Sequence, residues 1–520
     1  MKHIKYNRNL KLVPFILIAL LLSACSSKKA NLVAKKPNII MFLVDDMGWQ
    51  DTSVPFWTEK TPLNEKYHTP NMEKLAANGM KFTQAYACAV CSPTRVSLMS
   101  GMNAARHKVT NWTLKRNAGP DAKDDVLDFP KWNVNGVQAC DSIENTVAVT
   151  PLPQVLKENG YYTIHSGKAH FGAIGTPSEN PMALGFDVNI AGHAAGAPAS
   201  FQGLKNFGHD KNGKPINHWA VPGLEKYHGK DINLTEALTI EAKIAMDSAL
   251  NKEKPFFLYM SHYTVHIPIE ADNRYYQKYL DKGLDNVEAK YASMVEGMDA
   301  SLGDLMNYLE EKGIADNTIV LFMSDNGGLS AHDRGGVLHT QNAPLKSGKG
   351  SAYEGGIREP MLVKWPGKVK AGSVCNDYLM IEDFYPSILE MADVIDYQTK
   401  QTIDGLSFVP MLLQNGNTSN NRALIWHYPN KWGHSGPGIG TCSTIREDDW
   451  KLIYWYKTGN FELYNIKEDI GETNNLNSSN PDKTHELAKK LADYLRSVEA
   501  QRPSFKESGK EALWPDEVFN

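Results

Sequence analysis

Residues 38–44, Asn-Ile-Ile-Met-Phe-Leu-Val, are apolar from Ile39 onward and end in Asp45-Asp46, the pattern of a strand buried on both faces of a parallel sheet. Similar runs recur at 162–165, 255–261, 318–324 and 361–365. Helical patterns lie between them, over 71–78 (opened by Thr69-Pro70 and stopped by Gly79), 234–250 and 290–312. Strands alternating with helices predict an α/β sheet. Residues 171–230, rich in Gly, Pro, Asn and His, break the alternation and read as long surface loops. A polar stretch at 414–421 reads as a linker; beyond it, 423–428, 442–446, 450–456 and 462–465 read as short strands and 485–500 as an amphipathic helix. The predicted organisation is a large domain, 37–413, and a small C-terminal α+β subdomain, 422–520.

The N-terminus follows another logic. Lys2, Lys5, Arg8 and Lys11 precede an apolar run of 11 residues, 12–22, whereas a membrane-spanning helix needs about 20. Residues 1–24 therefore read as a signal peptide, outside the fold. Leu22-Ser23-Ala24-Cys25 resembles a bacterial lipoprotein cleavage box, which implies that Cys25 becomes the acylated first residue of the mature chain and 25–36 a solvated tether. The expected location is the periplasm, outer membrane or cell surface, with a lipid anchor in the membrane. Net charge is −4, and −8 without the leader, so no nucleic-acid partner is expected. A chain of 520 residues, 42% hydrophobic and 22% charged, excludes disordered and disulfide-scaffold classes. Five cysteines remain beyond the leader, Cys88, Cys91, Cys140, Cys375 and Cys442; if one is chemically special, the other four are paired or free.

One segment carries the chemistry: Cys91-Ser92-Pro93-Thr94-Arg95-Val96-Ser97-Leu98-Met99-Ser100-Gly101. Ser92 suits an N-cap, Pro93 the first helical position and Gly101 the helix end. Cys91 is thus placed at a helix N-terminus, which favours an anion, with Arg95 on the same side of the first turn. The alternative is a buried cysteine before a capped helix with a solvated arginine.

Cys-x-Pro-Thr-Arg followed by Leu-x-Ser-Gly resembles the signature of the type I sulfatases of the alkaline phosphatase superfamily. Asp45-Asp46, Gly167-Lys168-Ala169-His170, His266-Ile267-Pro268, Ser324-Asp325-Asn326-Gly327 and 348–360 follow in that family's order. The resemblance covers residues 37–410 and, more weakly, the C-terminal unit. It implies a large mixed, mostly parallel sheet flanked by helices, and conversion of Cys91 to formylglycine by a maturation enzyme. The hydrated aldehyde is the nucleophile, and the covalent sulfate leaves by collapse to the aldehyde. Asp45, Asp46, Asp325 and Asn326, with position 91, are the implied metal ligands; their oxygens suit calcium better than magnesium. Arg95, Lys168 and Lys349 match the cations that hold the aldehyde or the sulfate. His170 matches the histidine supporting the gem-diol, and His266 the one near the leaving oxygen. Glu354 and Arg358 read as an ion pair supporting the loop that carries Lys349.

A lipoprotein of this kind is expected to act on sulfated carbohydrate, as an exo-enzyme on galactose or N-acetylgalactosamine sulfate at O4, because residues 130–230 resemble those of such sulfatases. His193, His209, His218 and His228 are candidates for lining the substrate pocket. Trp426, His427, Trp432, Trp450 and Trp455 read either as sugar-stacking surfaces or as core. The competing functions are a phosphodiesterase or phosphonate hydrolase of the same superfamily, and a glycan-binding lipoprotein without turnover.

Overall fold

A computed structural model describes residues 36–519, apart from 332–333 and 415–421, together with residues 1 and 3. Cys25, the apolar leader run and residues 25–35 lie outside the described residues. Eight strands, β1 (Asn38–Val44), β2 (Met80–Tyr86), β3 (Tyr162–Gly167), β4 (Val188–Ile190), β5 (Phe256–Ser261), β6 (Thr318–Ser324), β7 (Arg358–Lys364) and β8 (Ser373–Met380), pair in the order β8-β2-β7-β6-β1-β5-β3-β4. Only β7 runs antiparallel to its neighbours, β2 and β6. The sheet is therefore mixed and mostly parallel.

Alternation along β1 divides the core. Ile40, Phe42 and Val44 face one apolar cluster, and Ile39, Met41 and Leu43 the other. The first cluster is covered by α3 (Leu234–Asn251), α4 (Asn286–Glu311) and α1 (Pro70–Asn78), the second by α2 (Cys91–Ser100) and α5 (Phe384–Met391). A strand covered on both sides has no polar face, which is why β1, β5 and β6 are continuous apolar runs.

Residues 171–230 are not simply surface loops. Phe171, Phe186, Phe201, Phe207 and Leu224 are buried, and Val188–Ile190 is an edge strand. Apolar anchors at irregular spacing give no periodic signal, yet they tie this segment to both faces of the sheet.

The C-terminal unit is an antiparallel meander, β9 (Leu424–Tyr428), β10 (Cys442–Glu447), β11 (Trp450–Trp455) and β12 (Asn460–Asn465), with α6 (Pro481–Ser497) on one face. Its other face meets the large sheet, where Trp426 packs edge-on against Tyr86 at 5.4 Å and donates its indole N–H to the Ala87 carbonyl. Trp426 and His427 are thus core residues. Among the described residues no helix is long and apolar enough to cross a membrane.

Gly167 closes β3 with φ +102°, and a Cβ there would lie 1.9 Å from the Ser261 carbonyl oxygen. Gly167→Ala is expected to cost at least about 2 kcal/mol in denaturant unfolding. Gly160→Ala, at φ +92° with nothing within 4 Å, should cost only the left-handed penalty of about 1 kcal/mol. Equal losses would show that close strand approach is not what requires glycine at 167.

Candidate active site

Parallel strands end at a common edge, and the candidate residues gather there. Val44 of β1 is in register with Ser324 of β6, so Asp45-Asp46 and Asp325-Asn326 emerge side by side. Lys168 follows β3, two strands away, and Ser261 ends β5 between them. Helix α2 points its first turn at this edge. It begins at Cys91 with Val90 as N-cap, two residues earlier at each position than the sequence suggests. Ser92 is not the cap because its hydroxyl is engaged elsewhere, accepting the Thr113 N–H at 3.1 Å and donating to the His170 carbonyl. Gly101 closes the helix at φ +69° as expected.

Arg95 is fully buried and donates from Nε and Nη2 to Asp325 Oδ2 at 3.0 and 2.7 Å, and from Nη1 to Ser261 Oγ and the Lys168 carbonyl. Lys168 Nζ is 2.7 Å from Asp45 Oδ2; Lys349 Nζ is 2.7 and 2.8 Å from the two Asp46 oxygens. Asn326 donates from Nδ2 to Asp46 Oδ1, and the Asp46 N–H donates to Asp325 Oδ1. His170 donates Nε2–H to the Thr113 carbonyl at 2.7 Å, which turns Nδ1 toward Cys91 Sγ at 3.3 Å. His266 Nε2 stands 3.6 Å from Asp46 Oδ2. All ten predicted site residues thus fall in one cluster.

Three carboxylates buried together are costly even with three cations beside them. Burial, reinforced by Asp325 and Asp46, pushes the Asp45 carboxyl well up despite Lys168. Burial would also raise Asp46, but Lys349 and His266 hold it below the usual carboxylate range. Burial and the neighbouring Lys168 and Arg95 keep His170 neutral; burial and Lys349 do the same for His266. Burial raises the Cys91 thiol, with Lys168 and Lys349 opposing it.

The arrangement fits a divalent cation. Asp45 Oδ1 and Asn326 Oδ1 are buried without a hydrogen-bond partner, and ligand atoms of Asp45, Asp46 and His266 lie within 4.8 Å of one another. His266, expected from sequence only near the leaving oxygen, also stands beside these carboxylates. The five cysteines beyond the leader are free thiols, Cys91 among them.

Cys91, His170, His266 and Lys349 open into a cavity of about 960 Å³. Its walls include Trp112, Trp219 and Trp432, which the sequence does not single out for this place except Trp432. Trp455 lies away from it, bonded to Glu462, and Trp450 packs on the C-terminal core. His193, His209, His218 and His228 are not among the lining residues. His193 packs on Tyr263, His209 on His228, and His218 on Trp219, because the wall at this point is built from 196–199, Asn217 and Trp219. The Glu354–Arg358 pair forms at 3.3 Å, and Lys451 from β11 joins it, a partner invisible to local sequence.

A family model described as Sulfatase matches residues 37–394, and one described as N-sulphoglucosamine sulphohydrolase, C-terminal, matches 348–501. A sulfatase of Formosa agariphila is 32% identical, covering 94% of this chain and 93% of its own. Human N-acetylgalactosamine-6-sulfatase is 30% identical over 78% of this chain and 74% of its own. The crystal structure of Ps i-CgsB in complex with k-i-k-neocarrahexaose superposes with a TM-score of 0.68 at 28% identity, over 89% of this chain and 93% of that one.

Arg95→Ala strands Asp325 in the sheet edge and is expected to cost about 3–5 kcal/mol in metal-free denaturant unfolding; a loss below about 1 kcal/mol would show that the pair is not needed to keep Asp325 buried. Beneath α2, His107 accepts the Val109 N–H at Nδ1 and bonds Ser97 Oγ through Nε2, and burial lowers its pKa to about 3. Its unfolded value is about 6.5, so the unfolded chain takes up the proton first as pH falls. Stability from His107 is complete above that value and is lost on acidification, by about 1.4 kcal/mol per pH unit, until the folded pKa is reached. His107→Gln should flatten the stability–pH curve between pH 6 and 4; an unchanged slope would exclude His107 as a source of acid sensitivity.

Proposed function

This chain belongs to the sulfatase family of sulfuric ester hydrolases, and from that premise we propose that it desulfates carbohydrate with formylglycine at position 91 and a bound calcium ion. The observation that carries this reading is the meeting of Cys91, three buried cations and partnerless carboxylate and amide oxygens at one sheet edge beneath a large cavity. Asp45, Asp46, Asp325, Asn326 and position 91 would hold the ion, which supplies a Lewis acid beside the nucleophile. The hydrated aldehyde, made from Cys91 by a maturation enzyme, supplies the attacking oxygen.

The chain's own residues do the rest. Asp45, Asp46 and Asp325 balance Lys168, Lys349 and Arg95 in charge. A divalent cation among the carboxylates leaves two positive charges in excess, turned toward an anionic sulfate ester. His170, with Nε2–H committed to Thr113, presents Nδ1 as the acceptor for a proton from position 91. His266, at the cavity wall, is placed to protonate the leaving oxygen once an anionic sulfate ester beside it offsets the burial and the Lys349 charge that keep it neutral in the free protein.

The proposed substrate is a terminal galactose or N-acetylgalactosamine sulfate, supported by relatives named N-acetylgalactosamine-6-sulfatase and by a structural neighbour holding a neocarrahexaose. O4 is proposed on the resemblance of residues 130–230 to sulfatases of that kind, whereas these relatives are named for the 6-position. The leader and Cys25 support an exported lipoprotein with a lipid anchor.

Peptide mass spectrometry across residue 91, on protein from its native host, is expected to show a loss of about 18 Da, the thiol-to-aldehyde change that covalent catalysis here requires. Sulfate release from 4- and 6-sulfated galactose and N-acetylgalactosamine should then follow, be abolished by chelator and return with calcium. An unmodified thiol in active protein would overturn the formylglycine mechanism.

A further inference from the structure

The cavity is larger than one sulfated sugar ring requires and its charge is one-sided. Among the described lining residues there are three cations, Lys290, Arg334 and Lys349, and no carboxylate. Two of the cations are committed. Lys349 bonds Asp46, and Arg334 is held by Asp51, donating from Nη1 and Nη2 at 2.9 and 2.8 Å, and faces the Tyr291 ring. Lys290 has no described ion pair or side-chain hydrogen bond, although it is partly buried. The same lining carries an apolar set, Ile267, Pro268, Ile269, Val287 and Leu329. A partly buried lysine with no described partner, in a cavity whose described lining holds no carboxylate, is an open anion-binding position.

Its placement says which part of the ligand it meets. The segment after His266 is tied to α4, where the Asp272 N–H donates to Ser293 Oγ at 3.0 Å, and Ser293 Oγ donates in turn to the Lys290 carbonyl. Lys290 and the 267–269 wall therefore belong to one side of the cavity, the side of His266 and the leaving oxygen. We propose that Lys290 binds a second anionic group on the substrate, on the leaving sugar or its neighbour, so that the preferred substrates are multiply anionic oligosaccharides and not isolated monosulfated sugars. This inference rests on the sulfatase reading for the position of the scissile ester. The second group is a sulfate or a uronate carboxylate, which share the chemistry that a lysine recognises.

The test separates the two readings by measuring affinity without turnover. In a Cys91→Ala background, calorimetry compares a monosulfated galactose-type sugar with two disaccharides containing it, one bearing a second sulfate and one a hexuronate. Tighter binding of at least one disaccharide is expected, with a preference that Lys290→Ala lowers about three- to tenfold, Lys290→Arg largely retains, and rising salt erodes. The disaccharide whose preference depends on Lys290 identifies the second anion. Equal affinity for all three sugars, or a preference unchanged in Lys290→Ala, would overturn the proposal. Failure of the unsubstituted enzyme, converted at position 91, to release sulfate would instead overturn the sulfatase mechanism and is read in a separate assay.

Discussion

Three carboxylates and three cations, all buried at the carboxyl edge of the parallel strands, set the terms for the rest of the structure. An isolated charge in such a place is prohibitive, and even paired charges carry a large desolvation penalty. The fold meets this by drawing each partner from a different element: Arg95 from α2, Lys168 from the end of β3, Lys349 from the loop before β7. The cluster exists only when the whole sheet is assembled, because none of these residues is near its partner in sequence. The residual cost, visible in the raised Asp45 carboxyl and two partnerless oxygens, is the kind that a bound cation relieves.

That constraint also explains why the small C-terminal unit is packed so tightly on the large one. Lys451 from β11 reaches Glu354 at 3.0 Å beneath the segment that follows Lys349, with no solvent access to either side chain. Trp432, from the loop between β9 and β10, lies against Gly350, where a Cβ would come within 2.1 Å of its ring. Gly350, at φ +84°, therefore serves both a left-handed turn and the close approach of an indole that lines the cavity. Removing the C-terminal unit would uncover the loop that carries Lys349, so the unit is structural support and cavity wall together.

The sequence was most legible where a single run settles the environment. Residues 318–324, apolar from Ile319 to Met323, match β6 at both ends, and 38–44, apolar from Ile39, behave alike in β1. Strands β2 and β8 carry no such signal, since Met80–Tyr86 and Ser373–Met380 hold Lys81, Gln84, Asn376 and Asp377 among their apolar residues. β8 is the edge strand and β2 lies next to it, each only partly buried along its length, so the pattern of both fades into that of a loop.

A similar division runs through the site. Its reactive centre was readable because each contributor sits in a short motif fixed to the end of a strand or the start of a helix, where spacing and geometry coincide. The cavity above it was not, since its walls are assembled from residues around 112, 196–199, 217–219, 267–269, 287–290 and 432–434. No local pattern joins these segments; only the packing of long connections over a rigid sheet does. Lys290 illustrates the difference: within α4 it reads as one more solvated charge, and only the tertiary structure places it in a cavity whose described lining is largely apolar and holds no carboxylate. Reaction chemistry, which must hold a few atoms within tenths of an ångström, is pinned to strand ends. Choice of sugar, which must hold a larger and variable body, is distributed over the loops, and so is the part of function that sequence alone conceals.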